Sequence, residues 1–507
     1  MLKTSNNKVL LFNPRAVTGG HFRIPNSVLQ VAASIDGIFD WVIVDGNREE
    51  DSWAKIKSYL DTGNFKYFGA TAMPGPQLKQ AIPFTTKIRE LYPYITNIWG
   101  GYFASNQYKA VIESGVVDFI INGPGDHAFP FLIDALENNH AFEFVQNLIF
   151  RNSDGEIIKT SKESLLDQDS LPQLPYDKLD QLYDMKTYLR PTHLGKETIG
   201  YHSSMGCPFS CSFCAVVPIY NARWKGKKAE TIYRDIMYIK EKYGGDAIEF
   251  HDNNFYVSEK RTVEFSKLIK PHNMTWWGEG RIDTIDKYKD ESLEIMRDSG
   301  CKMIFLGAES GNDTILENID KGGKQTGEQI KAFAERLKKF DIVPEYSFVL
   351  GFPGSSDEQV MRQIEEEIKF IKEIKSINPN TEIIIYLYSP VPTEGSELYS
   401  KIIESGFSFP KTLEDWLSPS WENFDLRKNP LTPWLTPEMV DKVKNFEIVL
   451  NFRYPTATDA KLSNVQRFVM KNISRVRYKS GIYKYPYELK ALRKFWLRYQ
   501  QPEIEGF

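Results

Sequence analysis

Short apolar runs alternate with segments of helical spacing along most of this 507-residue chain, and nearly every run stops at glycine, asparagine, aspartate or proline. Lys8 to Phe12 stops at Asn13-Pro14, Phe39 to Val44 at Asp45-Gly46-Asn47, Ile95 to Trp99 at Gly100-Gly101, and Val116 to Ile121 at Asn122-Gly123-Pro124-Gly125; Lys66 to Ala70 is a further run. Ser52 to Leu60, Gln77 to Leu91 and Ser105 to Glu113 have helical spacing between them. Strands that are continuously apolar are buried on both faces, and their alternation with helices predicts a parallel α/β sheet. Open sheets of this kind bind ligands outside the carboxyl ends of their strands. The polar stops are therefore the candidate binding loops, and their small residues let a large flat ligand approach the backbone.

A second series repeats the pattern. Glu197 to His202, Asp246 to His251, Met274 to Gly278, Lys302 to Leu306, Ile342 to Leu350 and Glu382 to Tyr388 read as strands. Helical segments at 229–242, 258–269, 287–299, 327–340 and 357–374 separate the later ones. Six β/α units predict a partial, open barrel with its site at the carboxyl ends of the strands. Between the two series, Leu148 to Phe150 and Ile157 to Lys159 flank Asn152-Ser153-Asp154-Gly155, a hairpin signal that could bridge two domains. A proline-punctuated connector, Leu171 to Tyr176, follows it. The expected organisation is a first α/β domain over 1–140, hairpin and linker over 141–190, a barrel over 191–400 and a small, mostly helical domain over 401–507. That last part carries Trp416, Trp421, Trp434 and Trp496, a helix start at Thr436-Pro437-Glu438, and helical spacing over Val440 to Phe452 and Leu489 to Tyr499. A cap over the barrel mouth and a dimerisation surface both fit it.

The chemistry lies in Tyr201 to Ala215, where Cys207, Cys211 and Cys214 form a C-x3-C-x2-C run. Gly206 permits a tight turn there, and Pro208 fixes one φ. Soft thiolates select zinc, copper(I) or iron–sulfur clusters. A structural zinc site wants four ligands, and only Cys301 remains, at the head of a strand. A three-thiolate cluster leaves one iron open to a small chelating ligand. Four cysteines in so long a chain exclude a disulfide framework and predict a reducing, cytoplasmic setting. A net charge of -4 leaves no electrostatic footprint for nucleic acid. No apolar run is long enough to span a membrane, and polar Met1 to Lys8 is no signal peptide. Lys471, Arg475, Arg477, Lys479 and Lys484, interleaved with Tyr478, Tyr483 and Tyr485, read as a solvated helical face.

The cysteine loop resembles that of the radical S-adenosylmethionine (radical SAM) superfamily. The resemblance implies a [4Fe-4S] cluster whose fourth iron is chelated by S-adenosylmethionine. It places Phe213 near the adenine, Gly307-Ala308-Glu309-Ser310 at the ribose with Glu309 as acceptor, and Arg281 as a polar contact. Asp252 and Asn253 are expected to face the same mouth, and Phe348 to Gly354 to back the adenine. The family's Gly-Gly-Glu motif after the second strand is not present in that form. The first domain resembles the cobalamin-binding domain in front of many radical SAM domains, and Asn13, Asp45, Asn47, Gly100, Gly101, Tyr102, Asn122 and Gly123 are its corrin-facing candidates. The D-x-H-x-x-G motif is absent; His21 and His127 lie outside any such context, and Gly-Pro-Gly-Asp stands where relatives often carry Gly-Glu-Gly-Glu.

The resemblance implies a cobalamin-dependent radical SAM methyltransferase acting on an unactivated carbon of a small molecule. A 5′-deoxyadenosyl radical and methylcobalamin would do the work, and an external donor of the flavodoxin or ferredoxin type would supply electrons. An oxidative cyclase or rearrangement enzyme with the same cofactors is the alternative. A corrinoid-binding or redox-sensing protein without turnover, or a zinc protein, would belong to other classes. Methylthiotransferases need a second cluster with three more cysteines, and only Cys301 remains. Tyr220, Trp224, Trp276 and Trp277 are candidates for either cavity or core. No residue is singled out as catalytic.

Overall fold

The computed structural model describes residues 7–16, 22–319, 325–392, 396–422, 431–455 and 462–492. His21, Trp496 and the part of the last expected helix beyond Leu492 lie outside them.

The first sheet is built from β1 (Lys8–Asn13), β2 (Asp40–Asp45), β3 (Phe65–Thr71), β4 (Thr96–Gly100) and β5 (Phe119–Ile121), all parallel. Its order is β2-β1-β3-β4-β5, so the winding reverses between β1 and β3. That reversal opens the crevice in which doubly wound sheets take their ligands. Helices Asn26–Ile35, Ser52–Leu60, Leu78–Leu91 and Gly125–Asn138 cover the sheet. Val9, Leu10, Phe12, Ile43, Tyr67, Phe68 and Trp99 are fully enclosed between the layers, each large side chain stabilising the fold by about 1.5–3 kcal/mol.

Two details differ from the sequence reading. The hairpin does not stand between domains: β6 (Leu148–Arg151) pairs antiparallel with β5, and β7 (Ile157–Lys159) with β6, so both extend the first sheet. The segment after Trp99, expected as a loop, starts a helix at once, because Gly101 takes φ +86° and turns the chain. A side chain there would lie 2.7 Å from Thr71 Oγ1. The expected helix over 105–113 is accordingly two short ones, Gly101–Asn106 and Tyr108–Glu113.

The second sheet begins at β8 (Thr198–Tyr201). A small antiparallel pair, β9 (Ser204–Gly206) and β10 (Trp224–Gly226), brackets the cysteine loop. Then come β11 (Ala247–Phe250), β12 (Thr275–Gly280), β13 (Cys301–Glu309), β14 (Val343–Leu350) and β15 (Glu382–Leu387). The order β15-β14-β13-β12-β11-β8 is strictly sequential and parallel, with both edges free of each other. It is the open six-stranded barrel that the alternation predicts.

The two sheets are joined at their ligand-facing ends. Asn106 Nδ2 donates to Ala215 O at 3.2 Å, just past Cys214. Lys162 Nζ reaches Asn122 Oδ1 at 2.8 Å and Ile219 O at 3.2 Å. Asn26 Nδ2 donates to Gly200 O. The C-terminal region touches both domains. Trp416 packs edge-on against Phe103 at 5.0 Å, while Trp434 stacks on Tyr388 and donates from Nε1 to Gly351 O at 2.9 Å. Gly351 and Tyr388 lie at the carboxyl ends of β14 and β15, so this region sits against the barrel mouth. Among the described residues no helix is long and apolar enough to cross a membrane.

Candidate active site

The cysteine loop leaves β9 through Gly206, whose φ is +76°. A Cβ at this position would lie 2.2 Å from Arg223 O, a backbone atom that cannot yield. The loop then doubles back. Cys214 N donates to Cys211 O at 3.1 Å, and Ser212 N to Ile319 O at 3.0 Å. Cys211 is buried, while Cys207 and Cys214 are half-buried. Burial pushes the Cys207 thiol up from its ordinary value, against the lowering effect of the Phe209 N–H. Cys301 is elsewhere: fully buried, 3.9 Å from the Tyr256 hydroxyl, its thiol pushed up to about 12 by burial. The loop therefore offers three thiols as soft donors. Among the described residues no three Cys, His, Asp or Glu side chains are gathered as they would be around a metal ion. One thiol per iron is what a cluster takes from its protein, and the donors present fit it.

Arg281 holds the loop from below. Its buried guanidinium forks onto Asp283 through two bonds of 2.9 Å, lies 3.9 Å over the Phe209 ring, and brings Nη1 to 3.1 Å from Cys211 Sγ. The residue expected to contact S-adenosylmethionine thus grips a cysteine and its carrier loop. Asp252, expected at the mouth, is also turned inward. It is buried and accepts from Ser203 N and Oγ, both at 3.0 Å, and from Ser204 Oγ, fixing the strand that feeds the cysteines. Asn253 is exposed. Phe213 is half-buried against the core.

At the end of β13, Glu309 is buried with φ +63°, a left-handed backbone that costs a non-glycine residue about 1–2 kcal/mol. Gly307 precedes it on the strand. Ser310 Oγ and Gly311 N donate to Glu367, on the helix Asp357–Ile377, which anchors the turn. Burial pushes the Glu367 carboxyl up to about 7, although these donors work against it. Folding therefore favours the protonated form: the contribution is full below 4.5, the ordinary value, and is lost as pH rises through 7. Between those values the wild type is expected to lose up to about 3 kcal/mol relative to Glu367→Gln. Calorimetry across that range checks this; a difference independent of pH would contradict it.

Two functional candidates carry no sequence motif. Trp277 Nε1 donates across the barrel lumen to Glu345 at 2.9 Å, so its strand neighbour Glu279, two residues on, faces the lumen as well. Desolvation of the half-buried Glu279, with the charge of Asp252 adding, pushes its carboxyl up to about 8. Arg23, from the first domain, pairs through Nε with Glu249 of β11 at 2.9 Å. A Cβ at Gly200 would press on His251 Cε1 at 3.1 Å and meet Arg23 Cδ in ordinary contact at 3.5 Å. Trp276, fully buried with Nε1 on Ser299, is core, and Trp224 is half-buried beneath Arg261.

The corrin-facing candidates all lie at the carboxyl edge of the first sheet. Asn13 ends β1, Asp45 ends β2, Gly100 ends β4, Gly101 and Tyr102 open the next helix, and Asn122 and Gly123 follow β5. Their side chains are partly committed. Asp45 is wholly buried, accepting from Asn13 Nδ2 (3.0 Å), Asn47 N (3.0 Å) and Tyr188 OH (2.8 Å). The buried Asn106 Oδ1 and Trp416 Nε1, on and against the helix Gly101–Asn106, have no hydrogen-bond partner among the described residues. Orphaned polar atoms on this edge fit a polar ligand such as a corrinoid amide fringe.

Residues 201–366, from β8 to the helix after β14, match the Radical SAM superfamily. That stretch is a radical SAM domain, about a third of the chain. Among curated proteins, the chain is 25% identical over 354 residues to an uncharacterized methyltransferase of Pyrococcus horikoshii, covering 69% of this chain and 73% of the relative. It is 24% identical to the anaerobic magnesium-protoporphyrin IX monomethyl ester cyclase of Rubrivivax gelatinosus, covering 86% of this chain and 71% of that one. Among solved structures, the cobalamin-dependent S-adenosylmethionine radical enzyme OxsB, with aqua-cobalamin and S-adenosylmethionine bound, superposes with a TM-score of 0.68. That match covers 97% of this chain and 75% of OxsB at 13% identity. The radical S-adenosylmethionine methyltransferase TsrM of Kitasatospora setae gives 0.63 over 79% of this chain and 76% of TsrM at 15% identity. The chain thus shares its fold with OxsB along nearly its whole length.

Proposed function

We propose that this protein is a cobalamin-dependent radical SAM methyltransferase that methylates an unactivated carbon of a small molecule. The observation that carries this is the hydrogen bonding of the first sheet's ligand edge to the continuation of the cysteine loop, directly from Asn106 to Ala215 and through Lys162, which donates to both Asn122 and Ile219. Two cofactor sites so placed would lie side by side. When bound, the cluster and S-adenosylmethionine supply a 5′-deoxyadenosyl radical, and the corrinoid supplies a methyl group. The chain's own part is to hold, orient and exclude water. Cys207, Cys211 and Cys214 would ligate the irons. Phe213, Gly307, Glu309 and Ser310 would line the nucleoside, and Arg281 would hold the loop. Asn13, Asp45 and Asn47 would shape the corrin rim, with Gly100, Gly101, Tyr102, Asn122 and Gly123 closing on the ring. A flavodoxin- or ferredoxin-type donor, in the cytoplasm, would supply electrons.

Anaerobically reconstituted protein, given cobalamin, reductant and S-adenosylmethionine, tests this: 5′-deoxyadenosine and S-adenosylhomocysteine should both form. A relative spanning 86% of this chain is a cyclase, so the second reading is oxidative cyclisation, for which 5′-deoxyadenosine would accumulate without S-adenosylhomocysteine. The Arg23–Glu249 bond separates the two half-reactions further. Arg23→Met is expected to keep cleavage of S-adenosylmethionine while lowering methyl transfer several-fold, as the ratio of the two products reports; an unchanged ratio would show that the bond does not register the domains.

A further inference from the structure

The basic cluster near the C-terminus is not used by the site. Helices Asn464–Ile473 and Arg475–Ser480 follow one another almost without a break, since Ser474 between them keeps helical φ and ψ. One face seats the pair on the helix Pro437–Arg453 and its surroundings. Met470 and Tyr478 are buried there, and Tyr478 meets the Tyr454 ring at 5.4 Å. On the opposite face Val465, Phe468 and Val476 are 69%, 68% and 68% exposed. At spacings of three and eight they form one outward stripe. Ile482, Tyr485 and Tyr487 continue it, each more than half exposed.

A helix that needed only solvent on this side would carry polar residues there. Instead the apolar stripe runs beside a basic row, Lys471, Arg475 and Lys479, spaced by four. Residues 462–492 hold seven lysines and arginines against the single carboxylate of Glu488, itself bonded to Arg477 at 3.0 Å, within a chain whose net charge is -4. Exposed apolar patches of this kind mark interaction sites. Apolar residues rimmed by cations on an amphipathic helix match a surface that offers hydrocarbon below a layer of negative charge.

We propose that this face docks the enzyme peripherally on an anionic lipid bilayer, with Val465, Phe468 and Val476 entering the headgroup boundary and Lys471, Arg475 and Lys479 meeting lipid phosphates. The helices are anchored through Met470 and Tyr478, so docking leaves the barrel and its mouth undisturbed.

The test is co-sedimentation of the full-length protein with vesicles of phosphatidylcholine, with and without phosphatidylglycerol. Binding is expected to rise on the order of ten-fold with the anionic lipid and to fall with added salt. The variants V465S/F468S/V476S and K471E/R475E/K479E should each lose it while cleaving S-adenosylmethionine as the wild type does. Three outcomes would overturn the proposal: no preference for anionic vesicles, binding that survives loss of the apolar stripe, or a dimer in solution that V465S/F468S/V476S dissociates. The last would assign the face to a second copy of the chain.

Discussion

Cys211→Ala protein, reconstituted without oxygen, is expected to be almost colourless, to hold too little iron and sulfide for a cluster, and to form no 5′-deoxyadenosine. Of the three loop cysteines, Cys211 is the one wholly inside the protein, and it is the one whose sulfur receives the Arg281 N–H. Cys301 cannot substitute, because it is enclosed beside Tyr256 on a strand, with its thiol held protonated by burial. On the proposed ligation by Cys207, Cys211 and Cys214, the variant would lack one of the three thiolates, so no partial activity is expected. The loop itself should survive, since its fold rests on the Gly206 turn, the Ser212–Ile319 bond and the Asp252 network. Unfolding temperature close to that of the apo wild type, together with absent iron, separates lost ligation from lost structure. Retained cleavage of S-adenosylmethionine would remove the cluster assignment.

The parallel strands were legible because each is a continuous apolar run with an abrupt polar stop, as in Lys8–Asn13 and Asp40–Asp45. The order β2-β1-β3-β4-β5 was not, since nothing in one strand names its neighbour. The helix Gly125–Asn138 carries little signal: it opens on glycine and contains Pro130, two residues that ordinarily end helices. The helix Asn26–Ile35 includes Ala32, Ala33 and Ser34, which give small contrast between its faces. At the candidate site, the three cysteines stood out by type and spacing, while Glu309 was singled out by the resemblance. Arg23 and Trp416 did not stand out. Their partners, Glu249 and Phe103, are hundreds of residues away in sequence, and no local pattern records a contact made only when two domains meet. Asp252 shows the opposite error. A carboxylate at a strand end reads as a mouth residue, yet the two serines before the cysteine loop claim it.

Arg281→Met should produce the second large effect, and for two separable reasons. The first is stability. Arg281 and Asp283 are both nearly inaccessible and joined by a two-pronged ion pair. Removing one partner of such a pair costs about 3–5 kcal/mol, because the other charge stays buried alone. The second is electronic. An N–H aimed at a ligating sulfur, on a cation packed over Phe209, stabilises the more negative state of whatever that sulfur binds, and hydrogen bonds to sulfur are among the factors that set cluster potentials. The variant's cluster should therefore be harder to reduce, with a midpoint more negative than the wild type's in an anaerobic redox titration. The double variant Arg281→Met/Asp283→Leu removes the orphaned carboxylate, and should recover much of the thermal stability without restoring the midpoint. If the midpoint returns with the stability, the Arg281–Cys211 contact acts only by holding the loop in place. If it stays low, the guanidinium tunes the metal centre directly, and the residue that the sequence assigned to the nucleotide acts first on the cluster.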